Sequence, residues 1–216
     1  MPGITLHNYF RSSTSFRVRA ALNLKGLDYE YVAHHLPTGK HREKAYLDVN
    51  PQGLMPALVW SDGTTVAQSL AILEFIDEMV PEPPLMPADP HGKARVRMLA
   101  QMIGCDIHPV NNLRVLNRLR SEFGADDEAV AGWFRHWVAE TFAPMEAMLA
   151  GDPATGTFCH GDTITVADLC LVAQVVNNVR FGVDMTPYPT INRIHAAAMA
   201  IPEIDAAQPM KQPDAV

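Results

Sequence analysis

Cysteine is scarce in this chain, and the scarcity is informative. Cys105, Cys159 and Cys170 are the whole set among 216 residues, odd in number and without metal-ligand spacing. Such a set reads as reduced thiols of a cytoplasmic protein, not as a disulfide framework or a metal site. Long apolar runs are missing as well. The most apolar stretch, residues 166–176, is interrupted by Asp168 and Gln174 and is too short to span a bilayer. The opening Met1-Pro2-Gly3-Ile4 has no basic n-region, so no signal peptide is expected. Excess positive charge is absent too: 17 Lys and Arg against 24 Asp and Glu leave a net charge of −7. That balance argues against general nucleic-acid binding, which needs a basic face. Lysine is the rarer cation, 5 against 12 arginines, a bias that suits bidentate carboxylate recognition. What remains, 48% hydrophobic and 19% charged residues, is an ordinary globular mix, long enough for one large domain or two small ones.

The chain is organised around residues 8–19. The alternating Ile4-Thr5-Leu6-His7-Asn8 predicts a short strand. Phe16, Val18, Ala21, Leu22 and Leu24 then recur at helical spacing, with Gly26 as the stop. Arg11, Ser12, Ser13, Thr14 and Ser15 therefore lie on a strand-to-helix turn, where free N–H groups and the positive end of the helix dipole point the same way. One hydroxyl is explained by an N-cap; four beside an arginine also suit a site for an anion or a thiolate. Residues 27–33 alternate as a second strand, completing a β-α-β unit. A basic loop follows from Pro37 to Lys44. Asn50-Pro51-Gln52-Gly53-Leu54-Met55-Pro56 leads into a strand at Ala57–Trp60, and Asp62-Gly63 turns it back through Thr64-Thr65-Val66. Ser69 is the expected N-cap of the next helix.

Five prolines between 81 and 90 end this unit and mark a linker. Asp89-Pro90 pairs a capping residue with a proline at the first helical position. Val96, Leu99, Ile103, Ile107 and Val110 form one helical stripe in which Pro109 predicts a kink. Another helix is expected from near Asp126, carrying Trp133, Trp137 and Met145, with a bend at Pro144; both tryptophans read as core. Thr165 and Asp168 have capping-box spacing, and Ile164 and Leu169 sit at staple positions. Their expected role is to nucleate a buried helix with Leu169, Leu171, Val172 and Val175 in the core. The fold class is α/β followed by all-α.

These parts, in this order, resemble a cytosolic glutathione transferase. The likeness rests on the serine-rich first turn, Met55-Pro56 before a strand, Gln68-Ser69 at a helix start and the capping box. It is nearest to the zeta class, the maleylacetoacetate and maleylpyruvate isomerases, through Arg11-Ser12-Ser13-Thr14-Ser15-Phe16-Arg17-Val18-Arg19, Asn111-Asn112-Leu113-Arg114-Val115-Leu116, Ala167-Asp168-Leu169-Cys170-Leu171-Val172 and Asp184-Met185-Thr186-Pro187-Tyr188-Pro189. It implies a thioredoxin-like glutathione-binding domain over 1–83, a linker over 84–89, an all-helical substrate domain over 90–216, and a homodimer. One departure stands out: the zeta signature usually has cysteine where this chain has Thr14, which is similar to the maleylpyruvate isomerases, as is Ile103-Gly104-Cys105-Asp106-Ile107-His108-Pro109.

The resemblance implies glutathione as cofactor, no metal, and cis–trans isomerisation of a maleyl-keto acid in aromatic compound catabolism. A thiolate adds to the cis double bond, the resulting single bond rotates, and elimination returns the trans product. Ser12 is the expected main thiolate donor, with Ser13 or Thr14 assisting. His41, Gln52, Gln68, Ser69 and a cis Met55-Pro56 are expected to hold glutathione, with His34 and His35 as rivals to His41. Arg11, Arg114 and Arg180, with His108 and Asn112, are the candidates for the substrate carboxylates. Each has a plainer reading: Arg114, Arg118 and Arg120 suit a solvated helix face, and a histidine before a kink suits a satisfied polar group. Arg17 and Arg19 are expected to make structural contacts across the first helix. A zeta-like transferase or dehalogenase acting on small α-haloacids is the alternative activity, and a non-catalytic binding protein the alternative of another class.

Overall fold

The structure, a computed structural model, describes residues 3–216, and the chain divides into two compact units: residues up to Leu85 together with Met199–Val216, and Met86–Ala198. In the first unit, strand β1 (Ile4–Asn8) feeds helix α1 (Ser13–Leu24), and β2 (Tyr29–Ala33) returns parallel to β1 with Leu6 opposite Tyr31. Ser12 caps α1 by accepting from Ser15 N–H, and Gly26, at φ +64°, closes it by donating to Asn23 O. The basic loop condenses into two short 3₁₀ turns and helix α2 (Lys44–Leu47). Strands β3 (Ala57–Val59) and β4 (Thr65–Ala67) complete a sheet of order β2-β1-β3-β4, with β3 antiparallel to both neighbours. Helix α3 (Ser69–Met79) packs on α1, β3 and β4. Leu6, Val18, Leu22, Leu58, Ile72, Leu73 and Ile76 form the core, all fully buried.

The second unit begins with α4 (Pro90–Gln101), whose cap Asp89 accepts from Gly92 N–H at 2.8 Å. The expected kink takes the form of a π-helical turn over Met102–Ile107, followed by the short α5 (His108–Val110). Pro109 supplies the reason. It has no N–H to donate, its ring crowds the carbonyl four residues back, and widening the preceding turn relieves the clash. Helix α6 (Leu113–Phe123) ends at Gly124 in the left-handed region. Helix α7 (Asp127–Gly151) runs through Pro144. Its buried positions are Val130, Phe134, Val138, Phe142, Met145 and Leu149; Trp133 and Trp137 are only half-buried, one position off that stripe, so they are not core as expected.

Helix α8 (Val166–Arg180) is buried continuously from Val166 to Val175. Its capping box is formed: the Asp168 carboxylate accepts from Thr165 N–H at 2.8 Å and Thr165 hydroxyl at 2.7 Å, and also from Cys159 N–H at 2.7 Å. Burial pushes the Asp168 carboxyl up from its ordinary range, opposed by these hydrogen bonds. Helix α9 (Pro189–Met199) starts on Glu146, whose carboxylate takes the N–H groups of Thr190 and Ile191. Helix α10 (Pro202–Ala206) and the tail after it differ from the expected division at 90–216, because residues 199–216 return to the first unit. Hydrogen bonds explain the return: Arg19 donates to Ala207 O, Asn23 to Glu203 O, and Asp214 accepts from Phe10 N–H and Tyr31 hydroxyl.

Candidate active site

Two hydroxyls and a carbonyl are joined at the start of α1. Thr14 Oγ1 donates to Met55 O at 3.1 Å, which commits its only proton. The 2.8 Å contact between Ser12 Oγ and Thr14 Oγ1 must then have Ser12 as donor, while Ser12 Oγ accepts from Ser15 N–H at 3.1 Å. Ser13 and Thr14 are buried and Ser12 is half-buried, so Ser12 is the most accessible hydroxyl of the three. The Met55-Pro56 bond is cis, as expected. The loop before it is held by Tyr46 hydroxyl and Asn50 Nδ2, both donating to Leu54 O.

A second group forms at the start of α3. Gln68, not Ser69, is the cap residue, at φ +70° and ψ 113° and with no capping bond from its side chain. The expected cap thus shifts by one residue, and Ser69 opens the helix proper. Positive φ at a non-glycine residue is strained and persists only where the surroundings enforce it. The Gln68 side chain reaches instead to Gln52, Nε2 to Oε1 at 2.7 Å. Gln52 O in turn accepts from Arg42, the neighbour of His41, and Gly53 packs at φ +61° under the His41 carbonyl, where a Cβ would stand 3.1 Å from that oxygen. Burial lowers the His41 imidazole pKa, with Arg42 adding to the effect. His41, Gln52, Met55, Pro56, Gln68, Ser69 and Ser12–Thr14 therefore all lie in the first unit, where hydrogen bonds join Ser12 to Thr14 and Thr14 to Met55 O, and Gln68 to Gln52. Of the rivals to His41, His34 is engaged with His7 at 3.0 Å and both pack near Tyr46, whereas His35 lies edge-on to Tyr9. Arg11 is exposed, over the Phe10 ring at 5.0 Å, with one N–H donated to Val216 O at 3.2 Å.

In the helical unit, His108 Nε2 and Asn112 Nδ2 are 3.3 Å apart, and Asn112 caps α6 by accepting from Arg114 N–H. The Arg114 side chain is exposed. Arg180 lies over Phe181, which stacks on Phe134 at 3.9 Å; Asn111 donates to Phe134 O. One aromatic stack thus connects the Asn111–Asn112 turn to the end of α8. A cleft of about 460 Å³ in the same unit is lined by Arg97, Met98, Met102, Cys105 and Asp106, outside the expected set. Among the described residues no cluster suited to a metal ion occurs, and all three cysteines are free, Cys159 and Cys170 buried.

The glutathione S-transferase N-terminal domain model matches residues 11–79 and the corresponding C-terminal domain model residues 119–207. A maleylpyruvate isomerase from Ralstonia sp is 48% identical over 209 residues, covering 97% of this chain and 98% of the relative. A solved holo maleylpyruvate isomerase, described as a bacterial glutathione S-transferase of the zeta class, superposes with a TM-score of 0.95 at 47% identity, covering 98% and 100% of the two chains. The chain belongs to the zeta class of the glutathione S-transferases. A maleylacetoacetate isomerase from Methylobacterium extorquens AM1, solved with malonate and glutathione, superposes equally well, at 39% identity over 98% and 99% of the chains. Thr14, at the position where the zeta signature usually has cysteine, holds its hydroxyl on Met55 O. Arg17, expected to make structural contacts, is buried, and among the described residues it has no acidic partner.

Proposed function

We propose that this chain is a glutathione-dependent cis–trans isomerase of a maleyl-keto acid, maleylacetoacetate or maleylpyruvate, acting in the cytoplasm in aromatic compound catabolism. The observation that carries the reading is the hydroxyl chain Ser12–Thr14–Met55 O at the N-terminus of α1. It is a donor set without a protein thiol, in a chain similar over its full length to isomerases of both substrates. The residues fit glutathione: hydroxyls and a helix N-terminus at one end, strained Gln68 and the N–H groups of α3 at the other. When bound, glutathione supplies the thiol whose anion adds reversibly to the cis double bond.

Ser12 then holds that sulfur as thiolate by turning its hydroxyl away from Thr14. Thr14 stays on Met55 O and fixes the spacing between the turn and the Met55-Pro56 segment. The dipole of α1 stabilises the same charge. Gln68, Ser69, Gln52 and His41 bind and orient the peptide parts of the cofactor. Arg11, Arg114 and Arg180 would supply fixed positive charge for the substrate carboxylates, and His108 and Asn112 would contribute polar contacts to the substrate. A homodimer is part of the proposal, and sedimentation as a monomer at micromolar concentration would remove it. The decisive assay follows isomerisation of maleylacetoacetate and maleylpyruvate with and without glutathione. Glutathione-dependent turnover of either is expected. Turnover of α-haloacids alone would overturn the assignment.

A further inference from the structure

Arg17 is 1% exposed, yet its guanidinium makes a single hydrogen bond, Nη1 to Ser69 Oγ at 3.3 Å. Nε and Nη2 are buried without a partner. Among the described residues no carboxylate pairs with it. An arginine keeps its charge under all working conditions, so a whole positive charge is buried here uncompensated, an arrangement that normally opposes folding. Its position deepens the puzzle. Ser69 is the first residue of α3, where unpaired N–H groups already present the positive end of the helix dipole, and the Gln68 side chain does not cap them. Two positive features thus converge on one hydroxyl. Because Ser69 Oγ accepts from Arg17, the hydroxyl proton is directed away from the guanidinium and is free to donate outward. A hydroxyl donor, free helix N–H groups and a buried cation behind them together make a complement for a carboxylate.

We infer that Arg17 is a positioning residue of the glutathione site: it orients the Ser69 hydroxyl and supplies the charge that answers the carboxylate of the γ-glutamyl group at the start of α3. The inference rests on glutathione being the ligand, as proposed above. Since the nitrogen atoms of Arg17 are enclosed, it acts through Ser69 and the local potential, not by contact with the ligand. The buried charge is then left uncompensated in the free protein and is matched only when the carboxylate arrives.

The test is calorimetric binding of glutathione, and of glutathione amidated at the glutamyl carboxylate, to the full chain and to Arg17→Met and Arg17→Lys. Arg17→Met keeps the apolar stem but removes the charge. It is expected to weaken glutathione binding by roughly ten- to a hundredfold, the scale of one charge-assisted contact, and to leave the amidated analogue's affinity unchanged. Arg17→Lys should lose less. The melting temperature of ligand-free Arg17→Met should stay level or rise. An equal loss for both ligands, a lowered ligand-free melting temperature, failure of Arg17→Met to fold, or unchanged glutathione affinity would each overturn the inference. If the unaltered protein binds no glutathione at all, the failure lies with the underlying reading instead.

Discussion

Replacing Ser12 with alanine removes two things at once, and the structure separates them. The first is the cap: Ser12 Oγ accepts from Ser15 N–H at 3.1 Å. Losing such a cap costs about 1 kcal/mol, which in a chain of this length lowers the melting temperature by about 2–4 °C. The second is the thiolate donor. A hydrogen bond to a charged group contributes about 1.5–3 kcal/mol, so the pKa of bound glutathione should rise by about 1–2 units at about 1.36 kcal/mol per unit. Below that pKa the thiolate population falls roughly ten- to a hundredfold. The rate falls less, because a more basic thiolate is more nucleophilic, with a Brønsted slope of about 0.4–0.5; the net loss is roughly three- to tenfold. The assay is the ultraviolet absorbance of enzyme-bound thiolate against pH, with isomerase turnover measured in parallel. Ser12→Ala should shift the titration upward and recover turnover at high pH. Thr14→Val breaks the bond to Met55 O but frees the Ser12 proton, so its titration should move little. A shift carried by Thr14→Val, with Ser12→Ala changing only the melting temperature, would refute Ser12 as the donor.

Arg11→Met is expected to lower turnover of maleyl-keto acids by roughly ten- to a hundredfold with glutathione affinity unchanged; equal losses on a neutral electrophile, with a lower melting temperature, would mean that its contacts with Phe10 and Val216 are its whole role. Gln68→Gly relieves a positive φ at a cost of chain flexibility, a net gain of about 1 kcal/mol. It should nevertheless raise KM for glutathione more than it lowers kcat, and loss of kcat at saturating glutathione would contradict a pure binding role. Burial lowers the pKa of both His7 and His34 from 6.5, with Glu30 opposing it at His7 and the His7 ring adding to it at His34. A depressed folded-state pKa means stability that is full above 6.5 and is lost as the pH falls through the folded values. Two protonated rings also cannot share the 3.0 Å bond between Nδ1 and Nε2. Thermal melts should therefore fall as the pH drops below about 6.5, and more gently in His34→Gln; identical pH profiles would refute the link.

Local chemistry decided much of this protein, and local chemistry is what a sequence displays. The β1–α1 turn, the Asp89-Pro90 start, the Gly26 stop and the Thr165–Asp168 box each close hydrogen bonds within a few residues, so residue identity and spacing were enough to place them. Resemblance added the cis bond at Met55-Pro56 and the set of residues proposed to hold glutathione. The tertiary structure decided what depends on contacts between distant positions. Trp133 and Trp137 have helical spacing, but which face of α7 is buried depends on what packs against it, and that face carries Phe134 and Val138. The return of residues 199–216 to the first unit rests on Arg19, Asn23, Phe10 and Tyr31, between 180 and 204 positions earlier, whose side chains and backbone leave no periodic trace. Gln68 gives no sign in the sequence of its positive φ, because glutamine has no preference for it and the surrounding fold imposes it. Arg17 looks like any helical arginine until the packing of α1 against α3 shuts out water and leaves Ser69, 52 residues away, as its sole partner among the described residues. Burial, which turns an ordinary charge into an unmatched one, is a property of the folded chain and not of the residue.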